Sequence, residues 1–213
     1  MAWRKDEPYR RLARKRGYRA RSAFKLKQLN SRYLLLERGE VVVDLGAAPG
    51  GWMQVAREEV GEEGFVLGVD LQPLPPFPDP NMRTLVGDLR DPLTAKAILS
   101  HLPRKADVIL SDASPKMSGV WEVDHLRSLE LAEAALRLAE EVLREGGKIV
   151  IKVFQGKGLE GFLRKFRKRF EFAKVSKPPA SRKGSAEVYL IGKGYRPPSP
   201  GRTSEPPRRE HPS

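Results

Sequence analysis

The stretch Val41-Val42-Val43-Asp44-Leu45-Gly46-Ala47-Ala48-Pro49-Gly50-Gly51-Trp52 constrains the fold more than any other part of the chain. Three consecutive β-branched residues with a leucine close behind suit a strand buried on both faces, where alternation of apolar and polar residues disappears. The strand then breaks into glycine, and Trp52 to Val60 reads as a helix. Such a turn leaves main-chain N–H groups unpaired beside a strand end, which is where open α/β sheets take ligands. Gly46, Gly50 and Gly51 carry no Cβ to keep a ligand from the backbone. The spacing G-x-x-x-G-G, with a proline inside, departs from the G-x-G-x-x-G of dinucleotide-binding turns. A strand-to-helix turn that binds nothing is the plain alternative.

The rest of the chain repeats the pattern of a strand followed by a helix. Further strands are expected at Phe65–Asp70, Met82–Val86, Ala106–Asp112, Gly147–Phe154, Phe172–Val175 and Glu187–Ile191, and helices over Pro92–Leu102, Asp124–Arg144 and Leu159–Phe170. At 213 residues this describes one α/β domain with tails. Acids close several strands. Asp70, at the end of the second, can accept both hydrogen bonds of a ribose diol, which serves a nicotinamide cofactor and S-adenosylmethionine equally well. Asp88, after the third, suits an adenine amino group, and Asp112 ends the fourth. Lys152 stands near the end of the fifth among Ile151, Val153 and Phe154. A buried ammonium without a partner is costly, and chemistry is a common reason to keep one; the plain alternative is a lysine reaching water at the strand end. An antiparallel last strand would start Glu187 beside Asp112 and Lys152.

Charge points to a polyanionic partner. Lys and Arg number 40 against 27 Asp and Glu, a net charge of +13. Between Arg4 and Arg38 the basic residues face only Asp6, Glu7 and Glu37, with Tyr9, Tyr18, Phe24 and Tyr33 interleaved. Cations for phosphates and rings for unstacked bases suit RNA better than a membrane. Residues 1–21 are therefore expected to be a basic RNA-binding arm that orders on RNA, residues 22–193 the folded domain, and residues 194–213 a Pro-rich disordered tail. Ser22 is expected to cap a short helix that buries Phe24, Leu26 and Leu29 and turns Lys25 to solvent. The run Arg164 to Arg169 either extends the RNA footprint or is a solvated helix face. There is no cysteine, and His101, His125 and His211 carry no ligand spacing, so no metal is expected. With no apolar run of membrane length and no signal-peptide core, a cytoplasmic protein is expected.

With those residues in hand, the sequence resembles the FtsJ or RrmJ family of ribosomal RNA 2′-O-methyltransferases. The resemblance is carried by Arg21 to Leu26, Val43 to Trp52, Gly87-Asp88, Ser111-Asp112 with Ser118-Gly119, Val150 to Gly156, and Ser185 to Tyr189, in order and at the family's spacing. It implies a Rossmann-like, seven-stranded and mostly parallel methyltransferase sheet with helices on both faces, and S-adenosylmethionine as methyl donor. It further implies a catalytic tetrad of Lys25, Asp112, Lys152 and Glu187, with Lys152 the proton acceptor, and a cofactor held by Gly50, Trp52, Asp70, Asp88 and Asp112. Bacterial members of this size modify a uridine ribose in large-subunit ribosomal RNA, which implies a monomer acting on the large subunit or its precursor, without a metal. Ser114 and Lys116 depart from the family's residues, which often include asparagine at the second position. Other readings are a transfer-RNA, small-subunit or other RNA target, a non-catalytic RNA-binding protein, and a nicotinamide-dependent oxidoreductase; the last leaves Lys25 and Lys152 without work.

Overall fold

A computed structural model describes residues 7–182 and 184–198. Its strands are β1 (Val41–Leu45), β2 (Phe65–Asp70), β3 (Met82–Val86), β4 (Ala106–Ser111), β5 (Leu143–Phe154), β6 (Phe170–Ser176) and β7 (Glu187–Tyr195). They form one sheet in the order β3-β2-β1-β4-β5-β7-β6. The first five strands run parallel, and β7 enters antiparallel between β5 and β6. The order reverses direction at β1, so its carboxyl end, with the neighbouring end of β4, is the switch point where such sheets open a crevice.

Both faces of the central strands are covered, which is why β1, β2 and β4 read as largely apolar runs, whereas the edge strand β3 is mostly exposed. Helices α4 (Leu93–His101), α5 (Trp121–Val142) and α6 (Leu159–Arg169) pack one face around Val43, Leu45, Ile109 and Ile151. Helices α1 (Glu7–Lys15), α2 (Ala23–Tyr33) and α3 (Gly51–Val60) serve the other, around Val42, Val66, Val108 and Val150. Gly68 lets α3 come close, since a Cβ there would meet the Met53 sulfur at 2.2 Å.

The structure corrects several expectations. Helix α1 occupies part of the segment expected to order only on RNA: Tyr9, Leu12 and Ala13 recur at helical spacing and dock on α2. Tyr9 and Tyr18 each lie 5.6 Å from the Phe24 ring, and the Tyr18 hydroxyl donates to Glu58. Aromatic anchors thus supply the apolar area that the few aliphatics do not. At the other end β7 runs on to the buried Tyr195, beyond the expected boundary at residue 193. Residues 199–213 of the expected tail lie outside the described residues. Ser22 is helical and makes no side-chain cap. Helix α5 stops at Val142, because Leu143 is already extended and pairs with Ala106.

At the amino-terminal ends of the strands Asp107 is buried, accepting from the Val41 N–H at 2.7 Å and pairing with Arg144 and Arg104. Burial alone would raise its pKa, but those donors outweigh it and hold the carboxyl below its usual range. A depressed pKa stabilises the fold above the unfolded value near 4, and that stability is lost as pH falls through the folded value. Asp107→Asn should lower the unfolding midpoint at pH 7 and flatten its decline below about pH 4, measured by thermal melts across pH. An unchanged acid limb would rule out this role.

Candidate active site

The carboxyl end of the sheet gathers charge where a hydrophobic core would have none. Because β5 and β7 are antiparallel, Lys152 pairs with Tyr189 and Phe154 with Glu187. Glu187 and Tyr189 are two residues apart on one strand and therefore share a face. Ser111 pairs with Ile151, which brings Asp112, the next residue, beside Lys152.

All four residues of the expected tetrad meet there as two ion pairs. Lys152 Nζ lies 3.2 Å from Asp112 Oδ1, and Lys25 Nζ lies 2.6 Å from Glu187 Oε1. Lys25 is only 6% exposed. Its expected solvent-facing position is wrong because helical phase alone ignores β7, whose Glu187 supplies the countercharge that makes burial tolerable. Lys152 is equally buried and does not escape to water. Its Nζ also donates to the Asp112 carbonyl at 2.6 Å and to Ser114 Oγ at 2.5 Å.

Tyr189 joins the two pairs, and sequence reasoning assigned it no role. Its fully buried hydroxyl donates to Asp112 Oδ1 at 2.8 Å, while Lys25 Nζ stands 5.7 Å from its ring centre. Burial, with Asp112 and Glu187 close by, pushes the phenol well above 10, so it remains a donor. The available signal was the Glu187-x-Tyr189 spacing, which puts both side chains on one strand face.

The expected cofactor residues surround the glycine turn but differ in what they present. Gly50 has φ +108°, a conformation that favours glycine, and caps α3. The Trp52 side chain is buried, donates to the Ser22 carbonyl at 2.8 Å and lies 5.8 Å from the Tyr189 ring. It therefore supports the site from below. Asp70 accepts from the Ala48 and Gln72 N–H groups at 2.9 and 3.1 Å, tying the turn to β2. Asp88 is gripped by Arg90, whose Nε and Nη2 lie 3.0 and 2.7 Å from its oxygens, and these bonds hold its carboxyl below the usual range.

Asp44, a member of the β1–glycine motif with no expected task of its own, proves to be the most unusual group. It is fully buried beneath the glycine turn, and neither carboxylate oxygen has a hydrogen-bond partner. Burial, reinforced by Asp112 and Asp70, pushes its carboxyl well above the usual range. Three neighbouring acids with one orphaned carboxyl make this crevice suited to a cation.

Comparison with known proteins decides the family. The FtsJ-like methyltransferase family matches residues 18–195. The chain belongs to that family. This methyltransferase is 50% identical over 192 residues to the ribosomal RNA large subunit methyltransferase E of Methanococcus vannielii, covering 90% of this chain and 74% of the relative. The protein of that name from Methanothermobacter thermautotrophicus is 48% identical over 196 residues, covering 92% and 93%. Among solved structures, a ribosomal RNA methyltransferase of Plasmodium falciparum superposes with a TM-score of 0.75 at 27% identity, covering 84% of the methyltransferase and 98% of that chain. Fibrillarin of Aeropyrum pernix, solved with S-adenosylmethionine bound, shares the fold at TM-score 0.58 and 16% identity, covering 82% and 75%.

Tyr189→Phe removes one buried hydrogen bond to Asp112 and keeps the ring that Trp52 and Lys25 adjoin. It should cost about 1 kcal/mol of stability and lower kcat while leaving cofactor affinity unchanged. Equilibrium unfolding and steady-state kinetics check this, and an unaltered kcat would remove Tyr189 from the active unit.

Proposed function

We propose that this methyltransferase transfers a methyl group from S-adenosylmethionine to the ribose 2′-hydroxyl of a uridine in large-subunit ribosomal RNA. The observation that carries the reading is the convergence of Lys25–Glu187 and Lys152–Asp112 on one buried phenol beside the glycine turn. The relatives' shared name supplies the substrate class. The reading extends to a monomeric, cytoplasmic enzyme acting on RNA of the large subunit or its precursor, with no metal.

The residues fit the cofactor. S-adenosylmethionine carries a sulfonium and an ammonium, and Asp44, with no partner of its own, lies with Asp70 and Asp112 around the turn that would receive it. The first turn of α3, which Gly50 caps, offers main-chain donors, Asp70 suits the ribose diol, Asp88 the adenine amino group, and Trp52 backs the turn. When bound, the cofactor supplies an electrophilic methyl group.

What this chain supplies is placement and charge. Nucleophile, methyl and leaving group must lie in line, so holding the ribose contributes much of the rate. An ammonium has three hydrogens, and Lys152 Nζ gives two hydrogen bonds, to the Asp112 carbonyl and to Ser114 Oγ, while pairing with Asp112 Oδ1 at 3.2 Å. We therefore assign Lys152 as the cation that orients the hydroxyl oxygen and stabilises its developing negative charge, with the proton leaving to water. The proton-accepting role implied by the resemblance would require one of those hydrogens to be lost before attack.

Lys152→Ala should lower kcat by about 10²–10³-fold while S-adenosylmethionine and RNA affinities hold. Lys152→Arg separates the roles, since arginine stays charged at any working pH. Substantial turnover in the arginine variant supports the cation, whereas an inactive variant with normal affinities favours proton acceptance. Mapping of 2′-O-methyl sites in total RNA with and without the gene identifies the target, and an unchanged methylation map would overturn the reading.

The basic arm becomes a basic helix in this reading. Helix α1 turns Arg10, Arg11, Arg14 and Lys15 to solvent, with Arg16 just beyond. Replacing Arg10, Arg11 and Arg14 by alanine should weaken RNA binding and reduce its salt slope by about 0.7 for each phosphate no longer neutralised, without changing the unfolding midpoint. Titrations at several salt concentrations measure this, and an unchanged slope would place the RNA elsewhere.

A further inference from the structure

Asp112 opens a loop that ends in a patch of uncovered apolar side chains. Met117, Val120 and Trp121 are 59%, 52% and 46% exposed, and Leu126 continues the patch along α5. A tryptophan placed for packing buries nearly all its surface, as Trp52 does. Trp121 leaves almost half of its own open beside the tetrad.

The surroundings hold that indole still. Asp124, 1% exposed, accepts from the Ser118 N–H at 2.7 Å, the Ser118 hydroxyl at 2.8 Å and the Gly119 N–H at 3.2 Å, which pins the loop to α5. His125 is buried, with its Nε2 at 2.5 Å from the Lys157 carbonyl. The Trp121 ring lies nearly parallel to Phe154, with centroids 6.0 Å apart and planes at 15°, and nearly parallel to His125 at 6.1 Å and 21°. Phe154 is two residues beyond Lys152 and is the register partner of Glu187. The indole is therefore fixed in advance at the rim of the site, by contacts the tetrad does not use.

We propose that Trp121 is a stacking platform for a nucleobase of the substrate RNA next to the methylated ribose. The inference rests on the RNA reading above and adds to it the subsite that positions the base. A nucleobase offers the flat face that an immobilised ring accepts whatever the base, and it brings phosphates with it. Lys116 on the pinned loop, Arg127 on α5 and Lys157, whose carbonyl meets His125, are exposed cations of the segments that hold the ring, with Glu122 and the buried Asp124 the acids beside it. An apolar protein segment would gain nothing from those cations. Lys116 also acquires a place here, since its carbonyl accepts from Arg127 at 3.4 Å on the same rim.

The test compares Trp121→Ala and Trp121→Tyr with the wild type on one ribosomal RNA fragment that the wild type methylates. Trp121→Ala should raise the KM for RNA about 10-fold or more, with S-adenosylmethionine affinity and thermal unfolding unchanged, and Trp121→Tyr should recover most of the loss. An alanine variant with RNA KM within twofold of wild type overturns the platform. In a Trp3→Phe background, where Trp52 is buried, single-stranded RNA should quench the emission of Trp121, and this holds as a test even if the alanine variant fails to fold. Absence of quenching at saturating RNA overturns the proposal. A defect confined to assembled subunits, with naked RNA methylated normally, also overturns it by assigning the patch to a protein. Failure of the functional reading looks different: the wild type itself then methylates no ribose.

Discussion

A buried lysine beside a partly buried aspartate is the constraint on which the carboxyl end of this sheet depends. Removing one partner of such a pair leaves an uncompensated charge and costs about 3–5 kcal/mol, so every neighbour must help to keep both satisfied. Lys152 donates to the Asp112 carbonyl and to Ser114 and pairs with the Asp112 carboxylate, and Asp112 takes a further bond from Tyr189. The antiparallel entry of β7 is what makes this possible. It delivers Tyr189 opposite Lys152 and, two residues earlier, the Glu187 that neutralises Lys25.

The segment before α2 belongs to the site as well, because it closes over the glycine turn. Arg19 lays its guanidinium 3.7 Å over the Phe77 ring and donates to the Pro75 and Pro76 carbonyls at 2.8 and 2.7 Å. Together these cover Gly50, where a Cβ would come within 2.5 Å of Phe77. Ala20 covers Gly51 in the same way, with its Cβ 3.0 Å from where a Gly51 Cβ would stand. The glycines of the turn thus admit this roof as well as a ligand, and the proline-rich connection after β2 has the task of holding it.

Charge is divided between the two ends of the sheet. At the amino-terminal ends, Asp107 with its arginines and Lys148 between Glu37 and Glu40 are closed networks with their partners in place. At the carboxyl end Asp44 is left unsatisfied, and burial, with Asp112 and Asp70 nearby, pushes its carboxyl up. Stability uses the completed networks, and the incomplete one lies where the proposed function places the cofactor. Trp121, half exposed on a pinned loop, follows the same logic in apolar form.

Much of the fold was legible in sequence. The limits of β1 and β2 agree with expectation because a parallel strand covered on both faces must be a short apolar run, and glycine or an acid ends each; those of the largely exposed edge strand β3 agree as well. The tetrad was expected only through the resemblance of its motifs to the family, and the antiparallel last strand from the sequence pattern. Local pattern failed where distant contacts outweigh it. Helical phase put Lys25 in water, yet its environment is set by Glu187, 162 positions away. Composition made residues 7–15 an unfolded arm, yet Tyr9 and Ala13 find Phe24 and α2. Sequence by itself determined which residues are chemically able to act and the strands that carry them. Only the tertiary structure decided which charges are paired, which carboxyl is left orphaned and which indole stays open, because burial and hydrogen bonding are properties of neighbours in space.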